Sequence, residues 1–153
     1  SIQHGFYALA RDETRNSYTP VLWPCPEDWQ GRIEQVWFPG THGDVGGQLG
    51  GFEAARPLAN IPLVWMLERM ESCGLVFPED WRARFTQNPR AASVSTWRGF
   101  GKLFLFRKRR RIETYICERI HHSVYAREQR DPPTLNGGLT VRLKRRWRGV
   151  SSV

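Results

Sequence analysis

The sequence predicts an α/β fold, on three observations. Residues 33–38, Ile-Glu-Gln-Val-Trp-Phe, are a short run rich in β-branched and aromatic side chains, preceded by Gly31 and ended by Pro39-Gly40. That is the pattern of a short buried strand. A small-residue loop carrying one histidine follows at once, Thr41-His42-Gly43-Asp44-Val45-Gly46-Gly47. Leu63, Met66, Leu67 and Met70 then recur at i, i+3, i+4 and i+7, predicting a helix that packs back on the sheet. Asn60 is its expected cap, Pro62 fits its first turn, and Gly74 closes it.

In chain order, residues 2–14 read as a helix with Phe6, Leu9 and Ala10 on one face, stopped by Asn16-Ser17. Residues 18–23 suit a short strand, and Pro24-Cys25-Pro26 imposes an irregular link because two prolines fix φ and remove donors. Residues 48–57 are expected as loop, with Gly50-Gly51 and Pro57 in them. Residues 78–101 scatter Trp81, Phe85, Trp97 and Phe100 among Pro, Ser and Gly, which suits a loop-rich cover. The strand-like runs 103–106 and 112–117 fit an outer hairpin or the flanks of a short helix. Asp131-Pro132-Pro133 and Asn136-Gly137-Gly138 are turn signals, and residues 139–143 suit a last edge strand.

A chain of 153 residues has room for one domain with a sizeable core. With 40% hydrophobic residues, 25% charged and seven Trp, its composition is that of a globular protein. No apolar run approaches the roughly 20 residues of a membrane span, and residues 1–5 lack a signal-peptide layout. Cys25, Cys73 and Cys117 are widely spaced without a CxxC, so neither a disulfide framework nor a zinc site is expected. No metal or cofactor is expected, and a reducing, cytoplasmic location is the default.

The net charge of +8 is concentrated in residues 107–111, Arg-Lys-Arg-Arg-Arg, and 144–148, Lys-Arg-Arg-Trp-Arg. Basic residues beside aromatic ones grip phosphates, so Arg109, Arg110, Arg145 and Arg146 are candidate contacts for an anionic membrane surface. The competing reading is a solvated basic face or tail. Nothing resembling a nucleic-acid module accompanies these runs, and a nucleic-acid partner is not expected.

Proton chemistry near the predicted strand end falls to His42 and Asp44. Ligands and catalytic groups collect beyond the C-terminal ends of strands in open α/β sheets, because the loops there converge on one crevice. Gly43, Gly46 and Gly47 permit close approach by a substrate or another backbone. Asp44 either stabilises the loop or orients the ring of His42. Further on, His121, His122 and Ser123 are neighbours, but adjacent residues point in different directions, so His122 is poorly placed to serve Ser123.

Four stretches also carry a resemblance. They are Tyr7-Ala-Leu-Ala-Arg-Asp-Glu-Thr-Arg15 with Tyr18-Thr-Pro-Val-Leu-Trp23, Val36-Trp-Phe-Pro-Gly-Thr-His-Gly-Asp-Val-Gly-Gly47, Leu58-Ala-Asn-Ile-Pro-Leu-Val-Trp-Met-Leu67, and Glu118-Arg-Ile-His-His-Ser-Val124. In this order they closely resemble an uncharacterised α/β-hydrolase domain family that includes the phospholipase effectors of type VI secretion. Tyr7 stands where that family commonly has histidine. The resemblance implies that residues 1–130 are the C-terminal part of an α/β-hydrolase-like domain, a mostly parallel sheet with flanking helices, followed by a basic tail or edge strand at 131–153.

It further implies ester hydrolysis on an ester or lipid substrate, with His42 as general base in the last slot of a Ser, Asp, His order. His121 is the alternative catalytic histidine, and secretion by a specialised apparatus is the alternative location. The sequence contains no Gly-x-Ser-x-Gly elbow, and the acid expected upstream of the histidine on a separate strand is absent too. The expectation is therefore a fragment whose missing N-terminal half supplies the nucleophile. The alternative is a non-catalytic module docking on an anionic surface through its basic runs.

Overall fold

The computed structural model describes residues 2–26, 32–112 and 115–128. Gly31, the turns near 131 and 136, the edge strand proposed at 139–143, the run 144–148 with Arg145 and Arg146, and the tail boundary lie outside the described residues. The centre is a three-stranded parallel sheet in the order β1 (His4–Ala10), β2 (Arg32–Phe38) and β3 (Glu118–Ile120). Register runs from His4 beside Arg32 to Ala10 beside Phe38, and Gln35 to Trp37 lie beside Glu118 to Ile120. This agrees with an α/β fold.

The strand expected at 33–38 is β2, with one residue added at its start. Its last four residues are buried, as a central strand requires. Val36 and Phe38 pack against Leu58, Ile61 and Trp65 of the helix, while Gln35 and Trp37 occupy the intervening positions.

The helix expected at 2–14 is a correction, because these residues form β1. Phe6 and Ala8 face the helix-side core, and Tyr7 between them stacks its ring 5.2 Å from Trp23 on the other side. The apolar residues at 6, 9 and 10 matched a helical spacing by chance; the hydrogen-bond ladder offered by β2 decides the outcome. A Cβ on Gly5 would lie 3.0 Å from the Trp23 ring, so a larger residue there would push that ring aside.

Residues 18–23 are likewise not a strand. A 3-10 turn occupies Asn16–Tyr18, and the backbone of Trp23 is instead held by the fully buried amide of Gln35. Gln35 Nε2 donates to Trp23 O at 2.9 Å and Gln35 Oε1 accepts from Trp23 N at 2.7 Å. Cys25 and Cys117 are joined as a disulfide, Cα atoms 6.1 Å apart, across 92 residues of sequence. This overturns the expectation of no disulfide, and the reducing compartment loses the support it drew from unpaired cysteines. Sequence spacing carried no sign of the pair, which forms because Gln35 on β2 bonds both the backbone of Trp23, near Cys25, and the carbonyl of Cys117.

Helix α1 (His42–Gly46) replaces the expected open loop, and α2 (Arg56–Ser72) begins earlier than expected, after a 3-10 turn at Glu53–Ala55. Asn60 is therefore no cap: it lies buried inside α2, with Nδ2 donating to Thr86 O at 2.9 Å. Pro62 is also internal. The buried face is Leu58, Ile61 and Trp65, whereas Leu63 and Met70 are exposed, so the apolar stripe assigned to the core turns partly outward. Gly74, at φ 96°, ends the helix as expected.

Residues 78–101 are mostly irregular, with a short 3-10 turn at Trp81–Arg84. The runs 103–106 and 112–117 form no strand among the described residues beyond one antiparallel bridge, Arg15 to Arg107. Helix α3 (His122–Glu128) closes the described chain. No helix among the described residues is long and apolar enough to cross a membrane.

Candidate active site at the strand ends

Parallel strands bring their C-terminal ends to one edge, and this edge carries Asp12 and Glu13 after β1, His42 after β2 and His121 after β3. The pairing continues past the strands. Asp12 N donates to Gly40 O at 3.0 Å, Gly40 N donates to Asp12 Oδ2 at 2.7 Å, and His121 N donates to Trp37 O at 3.0 Å. An acid at the end of a separate upstream strand, not recognised in the sequence, is thus present. It was hidden because residues 4–10 looked helical.

His42 opens α1 with an exposed side chain. Its ring centroid lies 4.8 Å from that of Tyr18, and its backbone N donates to Glu13 Oε2 at 3.2 Å. Glu13 is buried and gripped by Arg15, whose N, Nε and Nη2 donate to it at 2.8, 2.9 and 2.7 Å. Burial opposes ionisation of Glu13, but the bonds from the Arg15 side chain and from the backbone of Arg15 and His42 outweigh it and lower its pKa from 4.5 to about 2. The result is a charged, fixed anchor under the His42 turn.

Asp44 performs the first of its two expected roles. Fully buried, its carboxylate accepts from Thr41 N at 2.7 Å, Thr41 Oγ1 at 3.0 Å, Ser93 Oγ at 2.5 Å and Val94 N at 2.9 Å. It ties α1 to the segment 93–94. Gly40, at φ 110°, must be glycine, since a Cβ there would lie 2.7 Å from Asp44 Cβ. Gly43 lets the Gln48 carbonyl approach, a Cβ meeting it at 3.0 Å, and Gly47 ends α1 at φ 73°. Gly46 has open space about it.

Beside His42 is a cavity of about 370 Å³ whose wall includes Arg15, Tyr18, Gln48, Thr96 and Arg98. The guanidinium of Arg98 lies 5.0 Å over the Phe52 ring. Arg98 and Tyr18 were not singled out from sequence; their role needs loops that the periodicity does not place.

The basic run 107–111 is split by the fold. Arg107 stacks 3.6 Å over Trp97 and donates to Thr14 Oγ1, Thr96 Oγ1, Thr96 O and Gly101 O at 2.8 to 3.2 Å. Arg110, expected at an anionic surface, is half-buried and donates to Arg15 O, Tyr18 O and Thr19 Oγ1 at 2.7 to 2.9 Å. It is drawn inward because the carbonyls of the turn after β1 need donors. Arg109 remains exposed.

His121 is partly buried, its ring 4.7 Å from Phe38 and 4.1 Å from His122. Its Nδ1 is 2.7 Å from Ser123 Oγ and accepts from Ser123 N at 3.3 Å. Burial, with His122 and Arg69 nearby, lowers its pKa from 6.5 to about 4. The ring is therefore neutral near pH 7. Ser123 is 1% exposed while His121 is only partly buried, and their contact joins the end of β3 to the start of α3. As expected, His122 is not the partner of Ser123. The pairing with His121 was missed because a turn between strand and helix lets residues two apart face each other. Among the described residues, no group of three or more His, Cys, Asp or Glu is placed to hold a metal ion.

Residues 1–69 match the family model described as "T6SS, Phospholipase effector Tle1-like, catalytic domain". This part of the chain is similar to a phospholipase effector catalytic domain, and it contains β1, Asp12, Glu13, His42 and α1. No curated protein and no solved structure matches the chain.

Proposed function

We propose that the chain is part of a serine-type ester hydrolase acting on a phosphate-bearing lipid ester, with His42 as general base and Asp12 as the carboxylate that orients it. The observation carrying this reading is an exposed histidine at the C-terminal end of the central parallel strand, held by its backbone on Glu13 and facing a cavity with Arg15 and Arg98 in its wall. Glu13 and Asp44 are committed to four hydrogen bonds each, leaving Asp12 as the nearby carboxylate with capacity to spare. The match over residues 1–69 supports the lipid substrate and delivery by a type VI secretion apparatus.

In this reading a serine hydroxyl from outside these 153 residues loses its proton to His42 as the oxygen attacks the ester carbonyl, and His42 returns that proton to the leaving alcohol. Arg98 faces the phosphate of the same substrate. The test is His42→Ala in protein assembled with its serine-bearing portion. Ester turnover falls by several orders of magnitude with an unchanged melting profile; retention of most activity removes His42 from the mechanism.

A further inference from the structure

We propose that residues 102–109 are a docking strap for an anionic phospholipid bilayer, joined to the wall of the His42 cavity through the contact of Phe104 with Tyr18. This inference goes beyond the hydrolytic reading and does not depend on it. The strap leaves the 3-10 turn Gly99–Leu103 and continues as an irregular segment with two different sides. Phe104 points inward, its ring 5.6 Å from Tyr18, which in turn lies 4.8 Å from the His42 ring. Leu103, Leu105 and Phe106 point outward and are 75%, 76% and 85% exposed.

Lys102, Lys108 and Arg109 are exposed on the same strap, with Arg111 just beyond. No carboxylate among the described residues forms an ion pair with any of these four. The strap is nevertheless firmly seated. Asn16 N donates to Phe106 O at 3.0 Å, Lys108 N donates to Thr14 O at 2.7 Å, and the inward guanidiniums of Arg107 and Arg110 hold the neighbouring turns.

Three large apolar side chains offered to water among unpaired cations suit one kind of surface. The headgroup layer of an anionic bilayer supplies charge for the cations and, just beneath, acyl chains for Leu and Phe. Each cation held near such a surface strengthens binding on the order of fivefold, and the apolar side chains add a part that salt does not screen. Docking this way would set the cavity one aromatic ring behind the bilayer surface.

The experiment is co-sedimentation of the 153-residue chain with phosphatidylcholine vesicles, with or without phosphatidylglycerol, over a range of salt. Binding is expected to require phosphatidylglycerol. It should weaken at least about tenfold in Leu105→Ser/Phe106→Ser, and lose most of its salt dependence in Lys108→Gln/Arg109→Gln/Arg111→Gln. All the substituted side chains are exposed, so unchanged thermal melts are expected, and a Phe106→Trp variant should be quenched by brominated lipid. Binding unaffected by Leu105→Ser/Phe106→Ser would mean a purely electrostatic contact made elsewhere and overturns the strap. Equal binding to neutral vesicles, or none to either kind, overturns it as well, the latter leaving another protein surface as its cover. His42→Ala should bind as wild type does, so a failed hydrolysis assay and a failed docking assay remain separate results.

Discussion

The carboxylate of Glu13 accepts the backbone N–H of His42 at 3.2 Å and so joins the turn after β1 to the turn after β2. The same carboxylate holds Arg15 in the cavity wall through three further bonds. One buried charge therefore sets both the histidine and a guanidinium facing it. Glu13→Gln keeps the shape but removes the charge, and we expect a loss of stability of about 2–4 kcal/mol, measured by denaturant unfolding. Because the pKa is depressed, this stability is present above pH 4.5 and is lost as pH falls toward about 2. A variant as stable as wild type at neutral pH would refute the anchoring role.

Asp12 and Asp44 should separate cleanly. Asp12→Asn is expected to fold normally, since its backbone bond to Gly40 O remains and the amide oxygen can still accept Gly40 N, while ester turnover in the assembled hydrolase drops by roughly three orders of magnitude. Asp44→Ala strips the partner from Thr41 N, Ser93 Oγ and Val94 N in a buried site. It should lower stability by about 3 kcal/mol. If Asp44→Asn abolished turnover while Asp12→Asn did not, the assignment of the orienting acid would be reversed.

Arg98 bears on substrate choice. Its side chain is exposed and lies on the cavity wall, so Arg98→Gln should fold as wild type. We expect kcat/KM for a phosphate-bearing ester to fall about tenfold to a hundredfold, as for the loss of one charge-assisted hydrogen bond. Turnover of an uncharged short-chain ester should hardly change. Equal loss on both substrates would remove the phosphate-facing role.

His121 should leave a signature in acid stability. Its folded pKa of about 4 lies below the ordinary 6.5, so the unfolded chain takes up the proton first. Stability is unaffected above pH 6.5 and declines as pH falls toward 4, by up to about 3 kcal/mol. His121→Gln should flatten thermal stability through that window and leave the later decline through the Glu13 range in place. An unchanged profile in His121→Gln would mean that the ring is protonated in the folded state.

Much of the site was legible because it is local. A run of six residues, four of them apolar and β-prone, ended by Pro39-Gly40 favours a strand locally, so β2 and the place of His42 at its end followed from the sequence. Helix α2 was legible as an element, but its buried face was not. Apolar residues occur on several sides of it, and only contact with Val36 and Phe38 selects Leu58, Ile61 and Trp65 over Leu63 and Met70.

The amino-acid sequence by itself determined the central strand, the histidine beyond it, the glycines that let the chain turn there, and the resemblance of those motifs to a hydrolase family. Tertiary structure alone decided that residues 4–10 are a strand, that Asp12 and Glu13 reach the His42 turn, that Cys25 meets Cys117, and that Arg107 and Arg110 turn inward while Arg109 does not. The physical reason is shared. Each of these outcomes depends on a partner far along the chain, a ladder edge or a carbonyl needing a donor, and the free energy of meeting it outweighs local preferences worth only tenths of a kcal/mol per residue.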